Sequence, residues 1–187
     1  MLQKDHLMIR WLKKVEREKF VEARFRRTYD FMSKNMPPPA KILDLGTPNS
    51  LGAFLDNKGY EITNTKGDDF DLHPEVVAKE GYDAVAIFEV LEHLINPMGV
   101  LKEIKAPKLF ATVPLSLWFS SAYRSKTDPW DRHFHEFEDW QFDWLLEKSG
   151  WKILRTEKWT NPSIVPGIRP LLRSVTPRHY AVEAERI

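Results

Sequence analysis

The chain has 187 residues, 42% hydrophobic and 29% charged, which predicts one globular domain and excludes a disordered or low-complexity chain. Lys and Arg number 28 against 27 Asp and Glu, a net charge of +1 that leaves no global footprint for nucleic acid or an anionic membrane. There is no cysteine, so disulfides, thiolate metal centres, iron–sulfur clusters and cysteine nucleophiles are excluded.

Residues Leu2 to Phe31 read as one helix or two short ones, with apolar side chains at Leu7, Met8, Trp11, Leu12, Val15, Phe20, Ala23 and Phe25. Lys4, Asp5, Arg10, Lys13 and Lys14 break every apolar stretch there, which argues against a secretion signal. No window approaches 18 uncharged apolar residues, so no transmembrane segment is expected and the expected location is cytoplasmic. Pro37-Pro38-Pro39 ends the helical segment, because proline lacks a donor and disfavours a helical residue before it. Residues 1–39 are therefore read as a helical extension packed on the main domain, or as a cover over a ligand site. Residues 40–187 form the main domain.

Within it, Lys41 to Leu45 is a short apolar run stopped by Gly46, as in a buried parallel strand. A helix is expected over 50–57, with Leu51, Phe54 and Leu55 on one face, and a second strand over 60–65. Strands over 82–88 and 108–114 flank a helix over 97–104 entered at Pro97. A helix over 138–148 offers Trp140, Phe142, Trp144, Leu145 and Leu146 for packing. Strands over 151–157 and 179–185 enclose a proline-rich insertion, 160–178. Strands alternating with helices predict a mostly parallel sheet with helices on both faces. Its ligand crevice should lie beyond the C-terminal strand ends.

The loop Asp44-Leu45-Gly46-Thr47-Pro48-Asn49-Ser50-Leu51-Gly52 is the first functional candidate. Gly46 admits close approach of a ligand to backbone, and Asp44 can orient the loop or face a cation. The loop lacks the glycine spacing of dinucleotide and P-loop motifs. An ordinary strand–helix turn remains the alternative reading.

Three segments resemble the class I S-adenosylmethionine-dependent methyltransferases, especially the small-molecule group related to ubiquinone-biosynthesis enzymes. The first is Ile42-Leu43-Asp44-Leu45-Gly46 with its loop. The second is Tyr82-Asp83-Ala84-Val85-Ala86-Ile87-Phe88-Glu89-Val90-Leu91-Glu92-His93-Leu94. The third runs from His135-Glu136-Phe137 to Leu145-Leu146-Glu147-Lys148-Ser149-Gly150-Trp151. They cover roughly residues 40–158 in the family's order. The resemblance implies a Rossmann-like α/β fold and S-adenosyl-L-methionine as cofactor. It places Asp44, Gly46, Thr47 and Asn49 on the methionine side, Asn64, Asp68 and Asp69 on the nucleoside side, and Phe88 and Glu89 at the second junction. It implies methyl transfer to an oxygen or nitrogen of a small-molecule acceptor.

Two departures separate the chain from that pattern. Pro48 and Ser50 stand where family members carry glycine, and Lys66 stands near the position of a ribose-binding carboxylate. Lysine cannot accept a hydrogen bond. The interval from Lys66 to Tyr82 is also too short for a full helix–strand–helix insert, so an edge element after the second strand should be shortened or missing. These departures keep open a second function, a catalytically degenerate methyltransferase-like interaction module.

Glu89 and His93 are four residues apart and would share the face of a helix following the strand. A helix-start charge pattern with a packed imidazole is the other reading. Residues 114–137 are read as the acceptor side, with Trp118, Phe119, Tyr123, Trp130, Phe134 and Phe137 as lid or core. His93, His133 and His135 are the acid–base candidates, against structurally satisfied imidazoles. Glu89, Glu92, His93 and His135 also resemble the metal set of small-RNA 2′-O-methyltransferases, a less favoured alternative; no metal ligand is assigned. Arg169, Arg173 and Arg178 form a solvated face, grip a carboxylate or phosphate of the acceptor, or meet a partner protein. A homo-oligomer remains open.

Overall fold

The computed structural model describes residues 2–160 and 167–187, with side chains from residue 18 onward. It contains a six-stranded sheet in the order β2-β1-β3-β4-β6-β5. The strands are β1 (Lys41–Asp44), β2 (Glu61–Asn64), β3 (Ala84–Phe88), β4 (Lys108–Pro114), β5 (Trp151–Thr160) and β6 (Pro177–Arg186). The β2, β1, β3 and β4 ladders are parallel, while β6 lies antiparallel between β4 and β5. The helices are α1 (Leu2–Ser33), α2 (Ser50–Asp56), α3 (Pro97–Glu103), α4 (Asp139–Lys148) and α5 (Ile168–Val175).

Strand alternation divides the core into two layers. Leu43, Val85, Ile87, Leu109, Ala111 and Val113 face α3 and α4. Ile42, Ala84, Ala86 and Phe110 face α1 and α2, where Phe31, Met32, Leu51 and Leu55 meet them. Both faces of the central strands are thus covered, which explains why their sequences are continuous apolar runs. Trp151 is fully buried, and its Nε1 donates to the Leu101 carbonyl at 3.0 Å, so its polar end is satisfied.

The short interval after β2 has the expected consequence. β2 is the sheet edge, and residues 65–83 contain only the 3₁₀ turn Pro74–Val77 among the described elements. Asp71 fastens this stretch to the start of α3, its two oxygens accepting from Ile95 N at 2.8 Å and Asn96 N at 2.7 Å.

Several local expectations change. The N-terminal segment is one continuous helix, and β5 continues to Thr160. Part of the proline-rich insertion is α5; residues 161–166 lie outside the described ones. Trp140 and Trp144 do not enter the core: they are 46% and 64% exposed and pack edge-to-face with each other at 4.8 Å. A helix period leaves only one stripe for the sheet, and Phe142 and Leu146 occupy it. Trp118, Trp130 and Phe134 are exposed as well, so the 114–137 aromatics are not core, apart from the buried Phe137.

Candidate active site

β1 connects to β2 on one side and β3 lies on the other, so the sheet's switch point falls between β1 and β3. Open α/β sheets bind ligands there, beyond the C-terminal strand ends. The β1 loop and Glu89 both leave the sheet at this point.

Gly46 bends the loop with φ +127°, and a Cβ at this position would meet nothing within 4 Å. Glycine is needed for the backbone and leaves space beside it. The Gly46 N–H donates to Thr65 Oγ1 at 2.8 Å, and that hydroxyl lies 3.2 Å from the Gly46 carbonyl, so β2 holds the bend of β1. Asn49 caps α2, its Oδ1 accepting from Leu51 N at 2.9 Å and Gly52 N at 3.0 Å. Pro48 therefore leaves the capping of α2 intact.

Asp44 ends β1 and is buried. Its Oδ2 accepts from Asn64 Nδ2 at 2.8 Å and Asn49 Nδ2 at 3.4 Å. Burial pushes its carboxyl up to about 6, although both amides favour the anion. Gly52 brings α2 close to this group: a Cβ there would sit 3.3 Å from Asp44 Oδ2. Thr47 is exposed on the loop. Asp68 is exposed, and Asp69 Oδ1 accepts from Asp71 N at 3.0 Å in a local turn.

A cavity of about 310 Å³ opens between this loop and the β3 end. Asn49, Ser50, Leu51, Phe88, Glu89 and Thr112 line one side, and Val21, Arg24, Phe25 and Thr28 of α1 line the other. Those α1 positions follow the i, i+3, i+4, i+7 pattern of one helix face. Sequence reasoning missed Arg24, although a lone charge on that stripe was its signal. Among the described residues the buried Arg24 Nε has no hydrogen-bond partner.

The chain after β3 differs from the expected helix start. Glu89 takes φ 56°, and only the 3₁₀ turn Leu91–His93 follows. The shared Glu89–His93 helix face is therefore absent. Glu89 Oε1 instead lies 3.3 Å from His179 Nδ1, a β6 residue. Burial disfavours the Glu89 anion, but His179, Arg24 and the Thr112 hydroxyl outweigh it and hold the carboxyl below its usual range. Glu92 goes the other way. Burial first, and then the Glu89 charge, raise its carboxyl to about 9. Two neighbouring carboxylates thus divide into one anion and one neutral acid at pH 7.

Glu92, His93 and His133 place donor atoms within 4.8 Å of one another. The His93 and His133 rings meet edge-to-face at 4.7 Å, and His93 Nδ1 lies 3.1 Å from the Arg132 carbonyl. Burial, and then the neighbouring His93, lower the pKa of His133. His135 is not brought into this group. It stacks on Phe137 at 5.5 Å, with Nε2 3.4 Å from the Ile95 carbonyl.

No protein-family model and no curated protein sequence matches the chain. Solved structures do. The fold is similar to the Burkholderia thailandensis 1,6-didemethyltoxoflavin-N1-methyltransferase, with bound 1,6-didemethyltoxoflavin and S-adenosylhomocysteine, at TM-score 0.62 and 15% identity over 99% of this chain and 87% of that one. A SAM-dependent methyltransferase from Archaeoglobus fulgidus aligns at TM-score 0.61 and 16% identity, covering 90% and 94% of the two chains. The Synechocystis PCC 6803 magnesium protoporphyrin IX methyltransferase, with bound S-adenosylhomocysteine, gives 0.54 and 14% over 96% and 87%. Identity this low establishes the fold and leaves activity to the site.

Proposed function

We propose that this class I methyltransferase fold binds S-adenosyl-L-methionine and transfers its methyl group to an oxygen or nitrogen of a small-molecule acceptor. The observation that carries this reading is the 310 Å³ cavity at the switch point, bounded by the Gly46 loop and Glu89 and faced by Arg24. An anion and a cation across one cavity suit the zwitterionic amino-acid end of the cofactor. In this reading Glu89 accepts from the ammonium, Arg24 faces the carboxylate, and Asp44, Gly46, Thr47 and Asn49 shape the loop around them. Phe88 borders the same end. Asn64, Asp68 and Asp69 serve the nucleoside side, with the Asn64 carbonyl oxygen as acceptor because its amide nitrogen is committed to Asp44. Helix α1 acts as the cover.

When bound, the cofactor supplies an electrophilic methyl on a sulfonium. The protein's own task is to align the acceptor and receive its proton. His133 suits that proton role: its lowered pKa keeps it neutral at pH 7, and it lies beside the cofactor-side carboxylates. His93 positions it edge-on. His135 takes a lesser place, as a support for the loop. The ubiquinone-biosynthesis-like subgroup rests on the Glu89–Leu94 and His135–Trp151 motifs.

Titration calorimetry with S-adenosylhomocysteine tests the reading. Micromolar binding is expected, and Gly46→Val should remove it, because a β-branched side chain is strained at φ +127° and reshapes the loop that bounds the cavity, while circular dichroism checks that the sheet stays folded. No binding by the native chain at millimolar ligand rejects the proposal. The exposed Trp118 and Trp130, at 78% and 70%, favour the interaction module as the alternative in that case.

A further inference from the structure

The near-neutral net charge hides a local excess of cations beside His133. Two cavities meet there and share its imidazole and Tyr123. The larger, about 430 Å³, is lined by Arg124, Lys126 and Arg132 and, among the described residues, by no acidic side chain. The smaller, about 180 Å³, is lined by Arg173 and Arg178, by Ser120 and Ser121, and by the apolar Pro114, Leu115 and Leu117. Its single acid, Glu136, is engaged, with Oε1 accepting from Tyr123 N at 2.6 Å. The Tyr123 hydroxyl is committed to Asp131.

Tertiary structure builds this cluster from three distant segments. Arg178 reaches it because its carbonyl accepts from Leu115 N at 2.7 Å, at the end of β4. Arg173 comes from the last turn of α5. Successive strand residues point to opposite sides. Arg178 therefore serves this cavity while its neighbour His179 serves Glu89 and the cofactor side.

We infer that the smaller cavity is an anion-binding subsite, which holds a phosphate or carboxylate carried by the acceptor and leaves the reacting atom facing His133. The inference rests on the methyl-transfer reading for the word acceptor; the anion subsite itself does not. Guanidinium groups match both oxyanions bidentately, and serine hydroxyls add neutral donors. A half-open cavity of this size suits one anionic group on a small molecule. A nucleic-acid chain instead needs a continuous cationic track.

The test is calorimetric titration of the full chain, with and without saturating S-adenosylhomocysteine, using phenyl phosphate, benzoate and neutral benzamide. Saturable binding of phenyl phosphate or benzoate, and none of benzamide, is expected. The better of the two anions identifies the acceptor's charged group. Arg173→Gln and Arg178→Gln should each weaken binding about tenfold or more. Ser121→Asp, which adds a like charge at an exposed position, should abolish it. All three variants should keep the native melting temperature and S-adenosylhomocysteine affinity. The subsite is refuted if neither anion binds, if benzamide binds equally well, or if the double arginine variant keeps native affinity. Displacement of phenyl phosphate by an RNA oligonucleotide through the same arginines also overturns it, in favour of a polymer. Anion binding without S-adenosylhomocysteine binding rejects the cofactor reading alone. The reverse result rejects the subsite alone.

Discussion

Replacing Asp44 by asparagine tests the balance struck at the end of β1. The native carboxyl is buried, and its pKa rises from 3.8 to about 6. The folded chain thus retains a proton that the unfolded chain releases near pH 3.8. Between these values the folded state binds more protons, so stability falls as pH rises. The full cost is incurred above pH 6 and amounts to about 3 kcal/mol at 1.36 kcal/mol per pKa unit. Asparagine removes the ionisation. Its carbonyl can take the place of Oδ2 and accept from both Asn64 and Asn49, but the two bonds lose their charge assistance, at about 1 kcal/mol together. The Asp44→Asn chain should therefore gain about 2 kcal/mol at pH 7.5. That corresponds to roughly 4–8 °C in a domain of this size. At pH 4 the gain should vanish, because the native carboxyl is then protonated in the fold. Thermal melts of both chains from pH 4 to 7.5, followed by circular dichroism, measure the gap directly. A variant less stable than the native chain at pH 7.5, or a gap independent of pH, refutes the reasoning.

The charge network between β5, β6 and α1 gives a second test. Glu183 is fully buried, and its Oε2 accepts from Arg155 Nε at 3.2 Å and Asn35 Nδ2 at 2.7 Å, while Lys108 Nζ lies 3.7 Å from Oε1. Arg155→Ala should cost about 3 kcal/mol in urea unfolding, since the buried carboxylate loses its guanidinium and keeps Asn35 and the more distant Lys108. The double variant Arg155→Met with Glu183→Leu should recover most of that loss; equal losses in the single and double variants would contradict the account. Asn49→Ala removes the cap of two α2 amides and should cost about 1 kcal/mol by the same measurement at pH 4, and more near pH 7.5, because Asn49 Nδ2 also donates to the Asp44 carboxylate.

The apolar runs of β1, β3 and β4 were legible because both faces of these strands are buried, and their alternation with helices pointed to a crevice beyond the C-terminal strand ends, while the resemblance supplied Glu89 as a candidate there. The short edge after β2 was legible from spacing alone, since chain length limits what can fit. The partners across that crevice were not. Glu89 meets His179, Gly46 meets Thr65, and Arg24 faces the cavity only because strand order and the path of α1 bring them together. Periodicity reports which face of an element is buried, not which distant residue covers it. The histidines show the same limit. His133 and His135 stand two residues apart in a loop without regular period, and sequence offered no ground for ranking them. Loop contacts turned His133 toward His93 and stacked His135 on Phe137. Composition fixed the net charge at +1, but folding gathered Arg124, Lys126, Arg132, Arg173 and Arg178 around His133, because charge is summed along a chain and acts through space.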